Sequence, residues 1–469
     1  VAFGEETKMI NFQAGNYYLM DIDGQVHTID GAKIKNQNLQ ALIENEVYKK
    51  SVAKRAPHIE LMKKLKLAGY EELSEPGHIR LTPRGTLIFD LLADRALQIA
   101  LELGANPIKT PILYDLDLKP VSEHAKLFGQ RMYKLKSGKR TFALRYAACF
   151  GQFSFLSDSI LSYRDLPLKI FELADSYRLE QRGELIGLAR LRKFHMPDIH
   201  ILCHDLEEAK VEFKKIYKKC FEEGEKFGWD YVSLYNVSKG FLDDPKGFDY
   251  VRSLVKMEGN QVLINVVESG MYYWVLNIEF NFVSQQKRII ESSTAQIDVG
   301  NAERFNISYV DEEGKERRPV IIHTAVIGSL ERFMADLLER ASSLEIPSLP
   351  TWICPVQVRF INVSNDSLDF AIKLAEKFNY NNIRADVDDR NESVAKRIAS
   401  AEVEWIPYII VIGKKEVSGG KLPVRIRSLR KTIDMSEEDL SKKVKDETRG
   451  WPYRPLYFNM LLSKRPKFV

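Results

Sequence analysis

A chain of 469 residues, 45% of them hydrophobic and 10% aromatic, has room for about two to four domains and a sizeable core, which excludes a disordered or fibrous polypeptide. Charged residues make up 29% but the net charge is only +4, so composition alone neither requires nor obstructs a nucleic-acid partner. No apolar run reaches the ~20 residues of a membrane span, and the start VAFGEETKMINF has neither the basic nor the apolar region of a signal peptide. Cys149, Cys203, Cys220 and Cys354 are dispersed and form no CxxC. The expectation is a cytoplasmic multidomain protein with reduced thiols, one of them a candidate metal ligand, rather than a disulfide framework.

In chain order, NYYLMDIDGQVHTID predicts a hairpin around Asp23-Gly24. From Arg84 to Leu103, the apolar residues Leu87, Ile88, Leu91, Leu92 and Ile99 recur at three- and four-residue steps and predict one helical stripe, stopped by Gly104. A strand-like NPIKTPILYD follows. Five further strand candidates (LPLKIFELADSY, NQVLINVVE, YYWVLNIEFNFV, STAQIDV and PVIIHTAVI) come with few helices between them, which favours an antiparallel sheet with helices packed against it over a parallel α/β array. Three prolines in SLEIPSLPTWICP mark a break. Beyond it, strands and helices alternate, predicting a small α/β domain over 346–469.

The stretch SYRLEQRGELIGLARLRKFHMPDIH gathers cations around a turn. Read as two strands, it places Arg178 and Glu180 on one side. Arg190, Arg192, Phe194, Met196, Asp198 and His200 share a face on the return, with Pro197 able to disturb the parity. Guanidiniums suit phosphates, a phenylalanine stacks on a base and a glutamate accepts from an exocyclic amine. An exposed hairpin of arginine–glutamate pairs is the plainer alternative. No GxxxxGK[ST] loop is present to bind phosphate another way. In GSLERFMADLLE, Gly328 ends a strand, Ser329 is an N-cap and Arg332 falls in the first helical turn, against the helix dipole. Either it serves a site or Glu331 offsets it and it points to water. In HILCH, a strand turns Cys203 away from His200 and His204, so helical metal-ligand spacing does not apply.

At these residues the sequence resembles the class II aminoacyl-tRNA synthetases, and within them the threonyl-tRNA synthetase family. YRLE with its arginine loop resembles the second class motif, GSLERF the third, and Pro111 the proline of the first. SYRDLPLKI, IIHTAVIGSLERF, PTWICPVQV and RNESVAKRI extend the likeness over 56–469. The resemblance implies an α+β fold: a class II antiparallel sheet flanked by helices over 51–345, a C-terminal α/β anticodon-binding domain over 346–469, and a short N-terminal extension over 1–50. It implies ATP-dependent activation of L-threonine and transfer to tRNA(Thr). Arg178 binds the α-phosphate and the amino-acid carboxylate, Glu180 faces the adenine amine, Phe194 and Arg332 sandwich the ring, and Arg190 holds the γ-phosphate. Catalysis is then positioning and electrostatics with Mg²⁺.

The resemblance further implies a Zn²⁺ on Cys149, His200 and His323 with positions left open. Coordination of the substrate hydroxyl supplies a rejection of valine that an apolar pocket, worth only about a hundredfold between such isosteres, does not. Asp198 lies near that hydroxyl; Gln296 and either Tyr272 or Tyr273 line the pocket. His124 sits at the spacing of a histidine that assists transfer, the alternative being a surface histidine at a helix start. By residue type alone, the metal trio reads as a buried cysteine and two core histidines. The sequence departs from the family in WVLN, where a glycine-proline-lysine is usual, in Met196 for a glutamine, and in FGQ after Cys149 for proline-glycine-histidine. Asn391, Glu416 and Arg425 match anticodon-reading positions, with KLPVRIRSLRK supplying cations to the RNA backbone. Residues 1–50 are too few for an editing domain, so the expectation is a catalysis-only form served by a separate protein that removes serine from mischarged tRNA. The class dimerises through its first motif, which predicts a homodimer around Pro111. A paralogue that binds tRNA or a partner protein without charging is the competing reading.

Overall fold

The computed structural model describes residues 12–50, 55–126 and 129–467; the start VAFGEETKMIN lies outside them. The chain forms two compact units. The first comprises the described residues of Val1–Lys54, Ile99–Leu179 and Phe194–Ser329. Its centre is a ten-stranded sheet in the order Val26–Thr28, Tyr17–Met20, Val262–Val267, Val232–Ser238, Trp274–Val283, Ile289–Asp298, Val320–Ala325, Lys193–Cys203, Leu168–Tyr177 and Asn106–Pro107.

The run from Val232–Ser238 through Trp274–Val283, Ile289–Asp298 and Val320–Ala325 to Lys193–Cys203 is antiparallel throughout, as the succession of strands predicts. Val232–Ser238 runs parallel to Val262–Val267. Helix Leu206–Lys226 is capped by Asp205, whose carboxylate accepts from Glu208 N–H at 2.9 Å. It buries Ala209, Phe213, Ile216, Tyr217 and Cys220, a stripe at three- and four-residue steps, against Ile289–Asp298 and Val320–Ala325. The expected N-terminal hairpin forms, and its first strand pairs with Val262–Val267. Leu19, Leu39, Leu42 and Ile43 are thereby buried with Val232, Leu234 and Leu263.

Two expectations are corrected. NPIKTPILYD is not one strand: Asn106–Pro107 and Leu113–Asp115 join different sheets, because the prolines withhold ladder donors. The strand before Gly328 ends at Ala325, and Gly328 lies in a left-handed turn. The helical stripe is the helix Pro83–Glu102, with Gly104 at φ +78° after it.

The second unit comprises the described residues of Arg55–Gln98, Glu180–Lys193 and Leu330–Val469. Its C-terminal sheet runs Ala385–Asp388, Val358–Asn362, Tyr408–Ile412, Leu422–Ile426, Lys431–Met435. The first three strands are parallel and the last two antiparallel, with helices Leu368–Tyr380, Val394–Val403 and Glu437–Thr448. Arg359 is buried beneath it in a bidentate pair with Asp386 (2.9 and 2.8 Å) and a further bond to Glu404 at 2.9 Å. Among the described residues no helix is long and apolar enough to cross a membrane.

Candidate active site

Sheet register builds the centre of the first unit. His200 lies opposite His323, and His323 opposite Gln296, so the three share one cross-strand row. Directly paired residues project from the same face. Cys149, first residue of the helix Cys149–Ser157, completes the group, and the ligand atoms of all three lie within 4.8 Å of one another. His200 Nε2 is 3.0 Å from His323 Nδ1, which is 3.6 Å from Cys149 Sγ.

Hydrogen bonds on the far sides of the rings decide what these atoms are. His323 Nε2–H donates to Asp298 Oδ2 at 2.6 Å, and His200 Nδ1–H donates to Gln152 Oε1 at 2.8 Å. The Asp298 carboxylate also accepts from Gly300 N–H (2.8 Å), Asn301 N–H (2.9 Å) and Asn301 Nδ2 (2.7 Å), as an ionised group does. With those tautomers the two inward nitrogens present lone pairs to each other at 3.0 Å, a repulsive arrangement that a cation between them relieves. Burial pushes the Cys149 thiol up, aided by Asp198 and Asp298, and holds His200 neutral. A nearby dication reverses the first effect and requires the second. The donor set of one thiolate and two imidazoles fits Zn²⁺ with a position to spare.

Asp198, two residues before His200 on the same strand face, places Oδ2 3.7 Å from His200 Nδ1 and is pushed up to about 7 by burial. Tyr273 donates to Gln296 Oε1 at 3.1 Å, and its ring lies 5.5 Å from that of His323. Tyr272 instead stacks on Trp274 at 4.7 Å and is 44% exposed, so of the two it is Tyr273 that stands beside His323 and Gln296. His124 is not a surface residue at a helix start. It sits in the last turn of Lys119–Lys126, buried among Tyr146, Phe150, Tyr273 and Phe305, and burial lowers its pKa to about 4. Arg178 Nε donates to Tyr146 O at 3.1 Å, and its guanidinium lies 5.3 Å from the Phe194 ring centroid.

The parity read for the arginine loop needs correction. The strands end at Tyr177 and begin at Lys193, so Phe194, Met196, Asp198 and His200 keep the common face but Arg190 and Arg192 do not belong to it. Pro197 leaves the strand uninterrupted. In the second unit, Arg190 pairs with Glu180 at 2.9 Å and Glu184 at 3.3 Å. Arg332, in the first turn of helix Leu330–Ser342, donates from Nε to Ala189 O at 3.1 Å rather than pointing only to water. His204 bonds Glu208 and Tyr163 O, outside the metal group, as the strand reading of HILCH requires.

In the C-terminal sheet region, Asn391 is exposed. Glu416 accepts from Gly413 N–H at 2.8 Å, and Arg425 pairs with Glu402 at 2.6 Å. Sequence reasoning missed Asp298 and Gln152. Both had a signal: Asp298 is two residues from Gln296 on one strand, and Gln152 is three from Cys149 on one helix.

Residues 133–341 match the family described as tRNA synthetase class II core domain (G, H, P, S and T), and 357–447 match the anticodon binding domain family. The chain is 44% identical over 462 residues to the threonine–tRNA ligase of Thermofilum pendens, covering 97% of this chain and 75% of that protein. It is 43% identical to that of Pyrobaculum calidifontis, covering 96% and 74%. The fold is similar to a crystal structure of the RNA binding domain of threonyl-tRNA synthetase from Cryptosporidium parvum, with TM-score 0.75 at 23% identity, over 84% of this chain and 99% of that one. This chain belongs to the threonine–tRNA ligase family of class II aminoacyl-tRNA synthetases.

Proposed function

We propose that this chain activates L-threonine with ATP and transfers it to tRNA(Thr). The observation that carries the reading is the convergence of Cys149 Sγ, His200 Nε2 and His323 Nδ1, with Asp298 and Gln152 fixing both imidazoles from outside. These three residues would hold Zn²⁺, which supplies a Lewis-acidic site for the amine and hydroxyl of threonine that valine does not fill. Tyr273 and Gln296 orient the amino acid beside it, and Asp198 accepts from the substrate hydroxyl.

Arg178, anchored through Nε, takes the α-phosphate and the amino-acid carboxylate, bringing two anions together and stabilising the charge that develops during displacement. Phe194 and Arg332 stack on the adenine, Glu180 accepts from its amine and Arg190 takes the γ-phosphate, with Mg²⁺ accompanying ATP. His124, neutral at physiological pH, takes the ribose hydroxyl proton during transfer. In this reading residues 51–345 form the catalytic domain and 346–469 read the anticodon through Asn391, Glu416 and Arg425. The enzyme is a homodimer through the segment around Pro111, in the cytoplasm.

Amino-acid-dependent ATP–pyrophosphate exchange tests it. The expected order is threonine first, serine next, and valine below threonine by well over the ~100-fold that shape alone provides. Exchange with valine as fast as with threonine overturns the reading.

A further inference from the structure

The loop 180–193 carries Glu180 and Arg190, yet one side of its tip faces an open cleft lined by Pro76, Gly77, Leu185, Gly187 and Arg190. The loop's C-terminal end is held from that side, where Arg192 N–H donates to Gly77 O at 2.9 Å and its guanidinium pairs with Glu75 at 2.6 Å, but the tip itself is held from the other side. Two consecutive residues are clamped there. Ala189 C=O accepts from Arg332, and Leu188 N–H donates to His58 Nε2 at 3.3 Å. His58 is fully buried, and its Nδ1–H and backbone N–H both donate to Glu339 Oε1, at 2.7 and 3.1 Å. Glu339 thus caps the helix Pro57–Lys64, whose own N-cap position is Ala56 and offers no side-chain acceptor.

The same carboxylate fixes the Nδ1–H tautomer, so that His58 Nε2 is a lone pair aimed at the loop. Arg332 and Glu339 stand seven residues apart on helix Leu330–Ser342, two turns along one stripe, one touching the loop directly and the other through His58. Gly187 permits this approach. It adopts φ +46°, and a Cβ there would sit 2.4 Å from His58 Nε2. We infer that His58, held by Glu339, is a positioning residue that sets the height of the nucleotide-contacting loop through the Leu188 amide. The inference rests on the assignment of Glu180 and Arg190 to ATP.

The two amide substitutions separate the two ends of the ring. His58→Asn keeps a donor for Glu339 but has no group at the Nε2 position, whereas His58→Gln restores an acceptor there. In threonine-dependent pyrophosphate exchange, His58→Asn is expected to raise KM for ATP about tenfold, with KM for threonine within about twofold of its starting value and His58→Gln recovering most of the loss. The Leu188 amide is expected to exchange with solvent about tenfold faster in His58→Asn. Should that variant not fold, Gly187→Ala displaces the same contact from the loop side and is expected to raise KM for ATP alike. Arg190→Ala checks the underlying assignment. If it raises KM for ATP while His58→Asn and Gly187→Ala do not, or if His58→Gln is no better than His58→Asn, the inference is overturned. If Arg190→Ala leaves KM for ATP unchanged, the assignment of the loop to ATP fails instead, and Leu188 exchange alone then decides whether His58 holds the loop.

Discussion

Replacing Asp298 with asparagine changes one oxygen for an NH₂ and should weaken metal binding by the Cys149, His200 and His323 group without removing a ligand. The carboxylate accepts four hydrogen bonds. In the asparagine variant Oδ1 keeps the two from the Gly300 and Asn301 backbones, but Nδ2 then meets two donors, Asn301 Nδ2 and His323 Nε2–H. The second conflict is relieved only if His323 moves its proton to Nδ1, the atom that faces Cys149 and His200. The lone pair a metal needs is then covered. Losing one hydrogen bond to a charged acceptor costs about 1.5–3 kcal/mol. At about 1.4 kcal/mol per decade, this lowers metal affinity by roughly 10- to 100-fold, the range known for outer partners of ligating histidines. Zinc content after dialysis, followed by competition with a chromophoric chelator, measures it, with thermal unfolding as the check that the variant is folded. A folded Asp298→Asn protein that binds zinc as tightly as the parent refutes the tautomer argument.

Other expectations follow from single contacts. Tyr273→Phe removes the bond to Gln296 and should raise KM for threonine several-fold, about what one neutral hydrogen bond supports, while Tyr272→Phe should change nothing in the same assay. His124 has a pKa of about 4, lowered by burial first and by Arg304 and His323 next. From there up to the ordinary value of about 6.5, the unfolded chain binds a proton that the folded chain refuses, so stability falls as pH drops through this window and is unaffected by His124 above it. Urea unfolding of the parent and of His124→Asn across that range should differ in slope, and the rate of transfer to tRNA should stay level from about pH 5 upward as far as this group is concerned. Asp386→Asn leaves the buried Arg359 half-paired and should destabilise the second unit by about 3–5 kcal/mol in thermal unfolding.

Where an element was buried on one face, its sequence disclosed it. Alternation in Trp274–Val283 and the apolar stripe of Pro83–Glu102 predicted their structures, and strand parity alone put Asp198 and His200 together. Val232–Ser238 escaped notice because it is buried on both faces and interleaves Ser233, Asn236 and Ser238 with its apolar residues, so no period of two exists to find. KLPVRIRSLRK was read only for its cations, although it forms the strand Leu422–Ile426 and the turn that leads into its antiparallel partner Lys431–Met435. The arginine loop misled for a different reason. Its residues alternate like a strand, but Glu180 answers Arg190 by an ion pair and Arg192 through its backbone carbonyl, which ends the ladder early. His58 and Glu339 are 281 residues apart, and no local pattern connects them.

The row that runs from His200 through His323 to Gln296 ties chemistry to strand alignment. Sliding Val320–Ala325 by a single residue sends His323 to the opposite side of the sheet. Because Cys149, His200 and His323 come from distant parts of the chain, an ion finds no ready-made cage in the nascent polypeptide. Under the proposed function, capture of the metal would proofread assembly: only molecules whose central strands have zipped in the right alignment would bring the three ligand atoms together.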